Sequence, residues 1–173
     1  MPKNIEIKAR VNDFAALKNL AEQISDTPVE LLIQEDTFFE TAQGRLKLRV
    51  FDATRGELIL YSRADTPTAK TSTYLIARTS EPETLKTILS TVLPVRGVVR
   101  KCRWLYLAGQ TRIHLDEVEN LGHFVELEFV MRDDQTMVEG ERTTQALMEK
   151  LAINQEDLIA VAYIDLLSQP NLQ

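Results

Sequence analysis

Between positions 45 and 50 the chain reads Arg-Leu-Lys-Leu-Arg-Val, cations alternating strictly with aliphatics. Alternation at period two marks a β-strand, because successive side chains in extended backbone leave on opposite faces. Such a strand has one apolar face that must be buried and one face carrying only positive charge. Like charges side by side on a sheet repel. This strand therefore needs either open solvent or negative charge opposite its basic face.

The same period recurs along the chain. From Asn4 to Val11, Ile5, Ile7 and Ala9 oppose Glu6, Lys8 and Arg10. Further strands are expected over 31–39, 57–63, 72–78, 98–108, 111–118 and 123–131. Turn signals at Gln43-Gly44, Arg55-Gly56, Gly109-Gln110 and Asn120 to Gly122 join several of them. Helical spacing appears over 12–26, where Phe14, Leu17, Leu20, Ala21 and Ile24 share a stripe and Asn12 or Asp13 can cap it. Ser80-Glu81-Pro82-Glu83 has the form of a capping box ahead of a second helix. Two more helices are expected at 141–151 and 155–168, with 64–71 and 132–140 as loops. Many strands with few helices and hairpin-type turns point to an antiparallel α+β fold. A barrel or a strongly curved sheet would remove its exposed edges.

With 173 residues, no internal repeat and no break in composition, a single domain over 1–173 is expected. The balance of 20 basic against 26 acidic residues gives a net charge of −6, which disfavours a nucleic-acid partner. Cys102 is the only cysteine, so no internal disulfide forms. No apolar run approaches the ~18 residues of a membrane span. The start, Met-Pro-Lys-Asn-Ile-Glu-Ile-Lys, lacks the apolar core of a signal peptide. The expectation is a cytoplasmic protein, monomer or homodimer, with neither membrane nor nucleic acid as partner.

The polar faces of the strands are sorted by sign. Arg45, Lys47 and Arg49 are all basic; Lys101 and Arg103 share a face; Arg112, His114 and Asp116 share another; Glu126 and Glu128 are acidic. Two readings are open at this level. These faces are the solvent side of an antiparallel sheet, or a closed sheet turns them inward onto a polyanion, with Glu6 and the Glu pair holding a hard cation. Periodicity does not separate inside from outside. Trp104, Tyr106 and Cys102 lie on the face opposite Lys101 and Arg103, which suits packing under a helix. His114 suits a hydrogen-bonding role better than that of a general base, and Arg78 fits tunnel and surface equally. The acidic stretches Asp133-Asp134 and Glu139 to Glu141 read as solvated loop.

Asn4-Ile5-Glu6-Ile7-Lys8 resembles the Glu-x-Glu-x-Lys hallmark of the CYTH family, the class IV adenylyl cyclases and thiamine triphosphatase within the triphosphate tunnel metalloenzymes. Further fragments follow in the family's order: Gln34 to Phe39, Gly44 to Arg49, Val99 to Arg103, Thr111 to Val118, Leu121 to Glu128 and Tyr163 to Leu167. The resemblance implies an antiparallel eight-stranded closed β-barrel, open as a tunnel, with helices packed outside and the ionic faces turned inward. It implies that Glu6, Glu126 and Glu128 hold Mg²⁺ or Mn²⁺, with Asp116 as a further ligand or outer partner. By the same resemblance Lys8, Arg10, Arg45, Lys47, Arg49, Arg63, Lys101, Arg103 and Arg112 line the tunnel and bind a small-molecule triphosphate. Glu6, Lys8, Arg63, Glu126 and Glu128 become the catalytic set. Oxygen ligands suit a hard cation, and guanidinium forks suit phosphate.

Glu57 to Asp65, with Lys70 and Ser72-Thr73-Tyr74, is similar to the class IV cyclase branch. The Lys near Tyr61 and Tyr near Phe38 that thiamine triphosphatase carries are both missing. Asn4 departs from the hallmark, replacing a carboxylate by a neutral amide, so a second metal site is expected to be weaker or remodelled. Hydrolysis of a phosphoanhydride bond in tripolyphosphate or a nucleoside triphosphate is the leading reaction. Cyclisation of ATP to cyclic AMP and pyrophosphate uses the same site, and a non-catalytic polyphosphate- or nucleotide-binding module is the reading that Asn4 makes room for.

Overall fold

Alternating segments of this kind pair into strands, and the computed structural model, which describes residues 3–63 and 70–169, shows how they close. Its strands are β1 (Lys3–Arg10), β2 (Glu30–Phe39), β3 (Arg45–Asp52), β4 (Arg55–Arg63), β5 (Lys70–Thr79), β6 (Val95–Ala108), β7 (Thr111–Val118) and β8 (Gly122–Val130). The helices are α1 (Phe14–Ile24), α2 (Pro82–Val92), α3 (Met137–Lys150) and α4 (Tyr163–Ser168). The strands form a closed barrel in the order β1-β5-β4-β3-β2-β6-β7-β8. Every neighbouring pair is antiparallel.

The main hydrophobic core lies outside the barrel wall. Ile7, Ala9, Ile113, Leu115, Val125 and Leu127 point outward and are buried under Leu17 and Ala21 of α1 and Leu147, Met148 and Leu151. Trp104 packs on the same helix, its ring 5.5 Å from that of Phe14. A second cluster joins inward-facing Phe38, Val99, Val118 and Phe124 to Ala162, Tyr163 and Ile164, so the start of α4 stops one end of the barrel. Among the described residues no helix is long and apolar enough to cross a membrane.

Several boundaries differ from the sequence expectation. Ser80 caps nothing: α2 starts at Pro82 behind Glu81, with no side-chain cap. The capping box stands instead at Thr136 and Glu139, and α3 starts inside the stretch expected to be loop. Gly140 explains the difference. It reads as a helix breaker, yet α3 lies so close to the barrel that a Cβ there would come within 2.3 Å of Ile5 Cδ1. The helix expected over 155–168 is divided into a 3₁₀ turn at Gln155–Asp157 and the short α4. Between them the backbone extends along β1, with Leu158 bridged to Ala9 and the Ile159 N–H donating to the Lys8 carbonyl at 2.9 Å. The expected loop at 64–71 falls mostly outside the described residues.

Candidate functional site

In an antiparallel ladder, directly opposed residues share a face. The register therefore carries the inward direction from strand to strand. Glu6 opposes Glu128, which opposes Arg112; Lys8 opposes Glu126, which opposes His114. Arg103 opposes Asp116, Gln34 opposes Lys101, and Asp36 opposes Arg49. All of these side chains but Asp116, which is fully buried behind Arg103, line a cavity of about 380 Å³ inside the barrel. The alternation that left inside and outside undecided is settled by closure: the ionic faces point inward.

Two buried aspartates organise the interior. Asp116, on β7, accepts from Arg103 Nε and Nη2 at 2.7 and 2.6 Å, and from the Tyr163 hydroxyl at 2.8 Å. Arg103 also reaches Glu126 at 2.9 Å, and Lys8 Nζ lies 3.0 Å from the same carboxylate. Burial pushes the Glu126 carboxyl up, but Lys8 and Arg103 outweigh it and hold it well below the usual range. The same opposition, burial against Arg103, leaves Asp116 lowered. Burial and the adjacent Asp116 and Glu126 charges drive the Tyr163 phenol well above its ordinary value.

Asp36, on β2, accepts from Arg49 Nε and Nη2 at 2.8 and 2.7 Å and from Lys47 at 2.9 Å; Lys101 Nζ lies 3.7 Å away. Burial would raise its carboxyl, yet Arg49, Lys47 and Lys101 hold it well below the usual range. The cations bear the consequence. Burial and the Arg49 charge push Lys47 down to about 8, and burial with Arg103 pushes Lys101 well below its ordinary value.

Glu128 pairs with Arg112 at 3.2 Å and accepts from the amide of Asn4. Asn4 is fully buried, and its Oδ1 has no hydrogen-bond partner. His114 sits between the acids, with Nδ1 3.7 Å from Glu126 and Nε2 3.9 Å from Glu128. Burial and Arg103 lower its pKa.

Of the expected tunnel residues, Glu6, Lys8, Lys47, Arg49, Lys101, Arg103, Arg112, Glu126 and Glu128 line this cavity. Arg10 and Arg45 do not, because both sit at strand ends. Arg10 is exposed with its guanidinium 5.4 Å from the Phe124 ring, and Arg45 lies 3.8 Å from Asp165 of α4. The Arg63 side chain lies outside the described residues. Both oxygens of Asp116 accept hydrogen bonds, from Arg103 and Tyr163. Among the described residues no cluster of three His, Cys, Asp or Glu is close enough to hold a metal in this arrangement. Sequence reasoning assigned no role to Asp36 or Tyr163. The one available signal was Asp36 itself, which shares its face of the expected strand over 31–39 with no other acid, ahead of the all-basic strand.

The CYTH domain model matches residues 2–163. A comparison with curated protein sequences gives no match. Among solved structures, the chain is similar to the PH1012 protein of Pyrococcus horikoshii OT3, with 25% identity, a TM-score of 0.83, and coverage of 94% of this chain and 98% of that one. A candidate adenylate cyclase of Vibrio parahaemolyticus superposes with a TM-score of 0.78 at 21% identity, covering 96% and 98%. A candidate adenylyl cyclase of Hippeastrum with a dominant triphosphatase activity does so with a TM-score of 0.65 at 16% identity, covering 95% and 91%.

Proposed function

We propose that this chain, which belongs to the CYTH family, binds a triphosphate in the barrel cavity and, with Mg²⁺ or Mn²⁺, hydrolyses one of its phosphoanhydride bonds. The observation that carries the reading is the surplus of buried cations around Asp36. One carboxylate is shared by Arg49, Lys47 and Lys101, and Lys47 is forced down to about 8. An under-neutralised cluster of this kind gains from any polyanion that enters it, and the charge-assisted bonds to phosphate oxygens are strong.

The donor set fits a hard cation. Glu6, Glu126 and Glu128 bring carboxylate oxygens to the inner face of β1 and β8, and Asn4 leaves a buried amide oxygen without a partner beside Glu128. A bound divalent ion would supply Lewis-acid polarisation of a phosphoryl oxygen. Lys8, Arg103 and Arg112 are now spent on Glu126 and Glu128. In the loaded site they turn from these carboxylates to phosphate oxygens, so charge stays balanced. Lys47, Arg49 and Lys101 orient the phosphates and take up the charge that develops on the leaving oxygen. A carboxylate of the inner face orients the attacking water in line with the terminal phosphorus.

The test is product release from tripolyphosphate and from ATP with Mg²⁺ or Mn²⁺, beside Glu126→Gln. Phosphate release reduced about a hundredfold or more in the variant is expected. Pyrophosphate appearing with cyclic AMP would make the reaction a cyclisation. No product from either substrate, with tripolyphosphate still bound, would leave a binding module, the reading that the amide at Asn4 favours.

A further inference from the structure

Three cations converge on one oxygen inside the barrel. Asp36 Oδ2 lies 2.7 Å from Arg49 Nη2, 2.9 Å from Lys47 Nζ and 3.7 Å from Lys101 Nζ. One carboxylate thus answers only one of the three charges gathered on it. Lys47 is the member of this group with room to react. On the inner face it is opposed by Phe38 of β2 and Ile59 of β4, and its Nζ lies 5.5 Å from the Phe38 ring and 5.5 Å from the Tyr61 ring. Its side chain is 15% exposed against 3% for Lys101, and it lines the cavity of about 380 Å³. An amine desolvated beside other cations gives up its proton and becomes a nucleophile. Burial and the Arg49 charge do this to Lys47, with Arg103 adding to them and Asp36 opposing, and leave it at about 8.

We propose that Lys47 is a carbamate-forming site: its Nζ adds reversibly to carbon dioxide, and the product competes with polyanions for Arg49 and Lys101. The lone pair of the unprotonated nitrogen forms the N–C bond, one C=O pair moves onto oxygen, and a proton passes from nitrogen to solvent. Counted from the ammonium, two protons leave and a cation becomes an anion. The cluster then holds two anions, Asp36 and the carbamate, against two cations, Arg49 and Lys101, and its surplus is gone. Because all three nitrogens approach the same Asp36 oxygen, the new carboxylate forms beside a guanidinium and an ammonium. Charge-assisted bonds of that kind are strong. Carbon dioxide carries no charge, so it reaches the buried amine without the desolvation cost of an ion. The competition rests on the triphosphate reading of the site; formation of the carbamate does not.

The test equilibrates the unchanged protein and Lys47→Arg with ¹³C-bicarbonate at about pH 8, where half of Lys47 is unprotonated. Carbon NMR reads the carbamate. Trapping with triethyloxonium, followed by peptide mass analysis, locates it in the unchanged protein without relying on a variant. The expected results are a carbamate resonance missing from Lys47→Arg, a trapped ethyl carbamate on Lys47, and loss of the resonance when tripolyphosphate is added in EDTA. Calorimetry reads the converse. With about nine-tenths of the sites loaded, tripolyphosphate affinity should be about tenfold weaker than in CO₂-free buffer of the same pH and ionic strength, and Lys47→Arg should show no such difference. No trapped adduct, or one confined to Lys101 or the amino terminus, overturns the Lys47 assignment and leaves the triphosphate reading standing. A carbamate on Lys47 that leaves tripolyphosphate affinity unaltered overturns the competition. An unchanged protein that binds no tripolyphosphate in either buffer overturns the triphosphate reading and the competition with it, and the trapped adduct still decides the carbamate.

Discussion

Asp116 and Asp36 are both buried and both held by an arginine through two bonds, yet they do different work. At Asp116 the other partner is a neutral phenol from α4, and the aspartate, Arg103 and Tyr163 close on one another. At Asp36 the further partners are two lysines; burial, with repulsion from Arg49 and Arg103, pushes Lys47 down to about 8 and Lys101 well below its ordinary value. The first is a finished structural joint that ties the C-terminal helix to the barrel. The second is an unfinished one, with more positive charge than the protein itself supplies acid to answer. It is this one-sided cation surplus on which the proposed triphosphate site rests.

Asp116→Asn gives the largest expected effect on this contrast. It removes the negative charge and turns one of the two acceptor oxygens into a donor facing Arg103 or Tyr163, and breaking a buried pair costs about 3–5 kcal/mol. Asp36→Asn is expected to cost less, about 2 kcal/mol, because Lys47 and Lys101 can shed their protons. Saturating tripolyphosphate should restore the melting temperature of Asp36→Asn and leave that of Asp116→Asn depressed. The reverse pattern would exchange the two roles.

The pH response is a smaller effect. Lys47 titrates near 8 in the fold against an ordinary value of 10.5. Between these values the unfolded chain holds a proton that the folded chain has released, so stability rises with pH across that window, and Lys101 acts in the same direction. Melting should therefore move upward from about pH 7.5 to about pH 9.5, before the tyrosines titrate. Tripolyphosphate should abolish the rise by keeping the lysines protonated. A melting temperature that falls over this range would contradict the Lys47 assignment.

Tyr163→Phe is the mildest change. It removes one hydrogen bond at Asp116, worth about 1 kcal/mol, or roughly 2–4 °C in a chain of this size. Tripolyphosphate affinity should stay within about twofold. A large loss of affinity would place Tyr163 in the binding machinery rather than in the joint.

Much of this architecture is legible in the residue order because strand alternation is local. Ile5, Ile7 and Ala9 against Glu6, Lys8 and Arg10 predict β1 to within a residue. What is not local is harder to read. The partners of Asp36 come from β3 and β6, and their register is fixed by closure of the whole barrel. Arg10 and Arg45 follow the same alternation as Lys8 and Lys47, but their places at strand ends carry them beyond the cavity. The C-terminal segment escapes a periodicity argument for another reason: residues 158 and 159 spend their backbone on β1, so no helix can run through them. Gly140 looked like loop because the helix it belongs to is pressed against Ile5.

On the proposed function, the cations around Asp36 seat a triphosphate. Calorimetry with inorganic tripolyphosphate, on the unchanged protein and on Lys47→Met, decides this. The expected result is saturable binding to the unchanged protein and an affinity about thirtyfold weaker in the variant, the ~2 kcal/mol of one charge-assisted bond. Equal affinity in both proteins, or no binding to either, would contradict it.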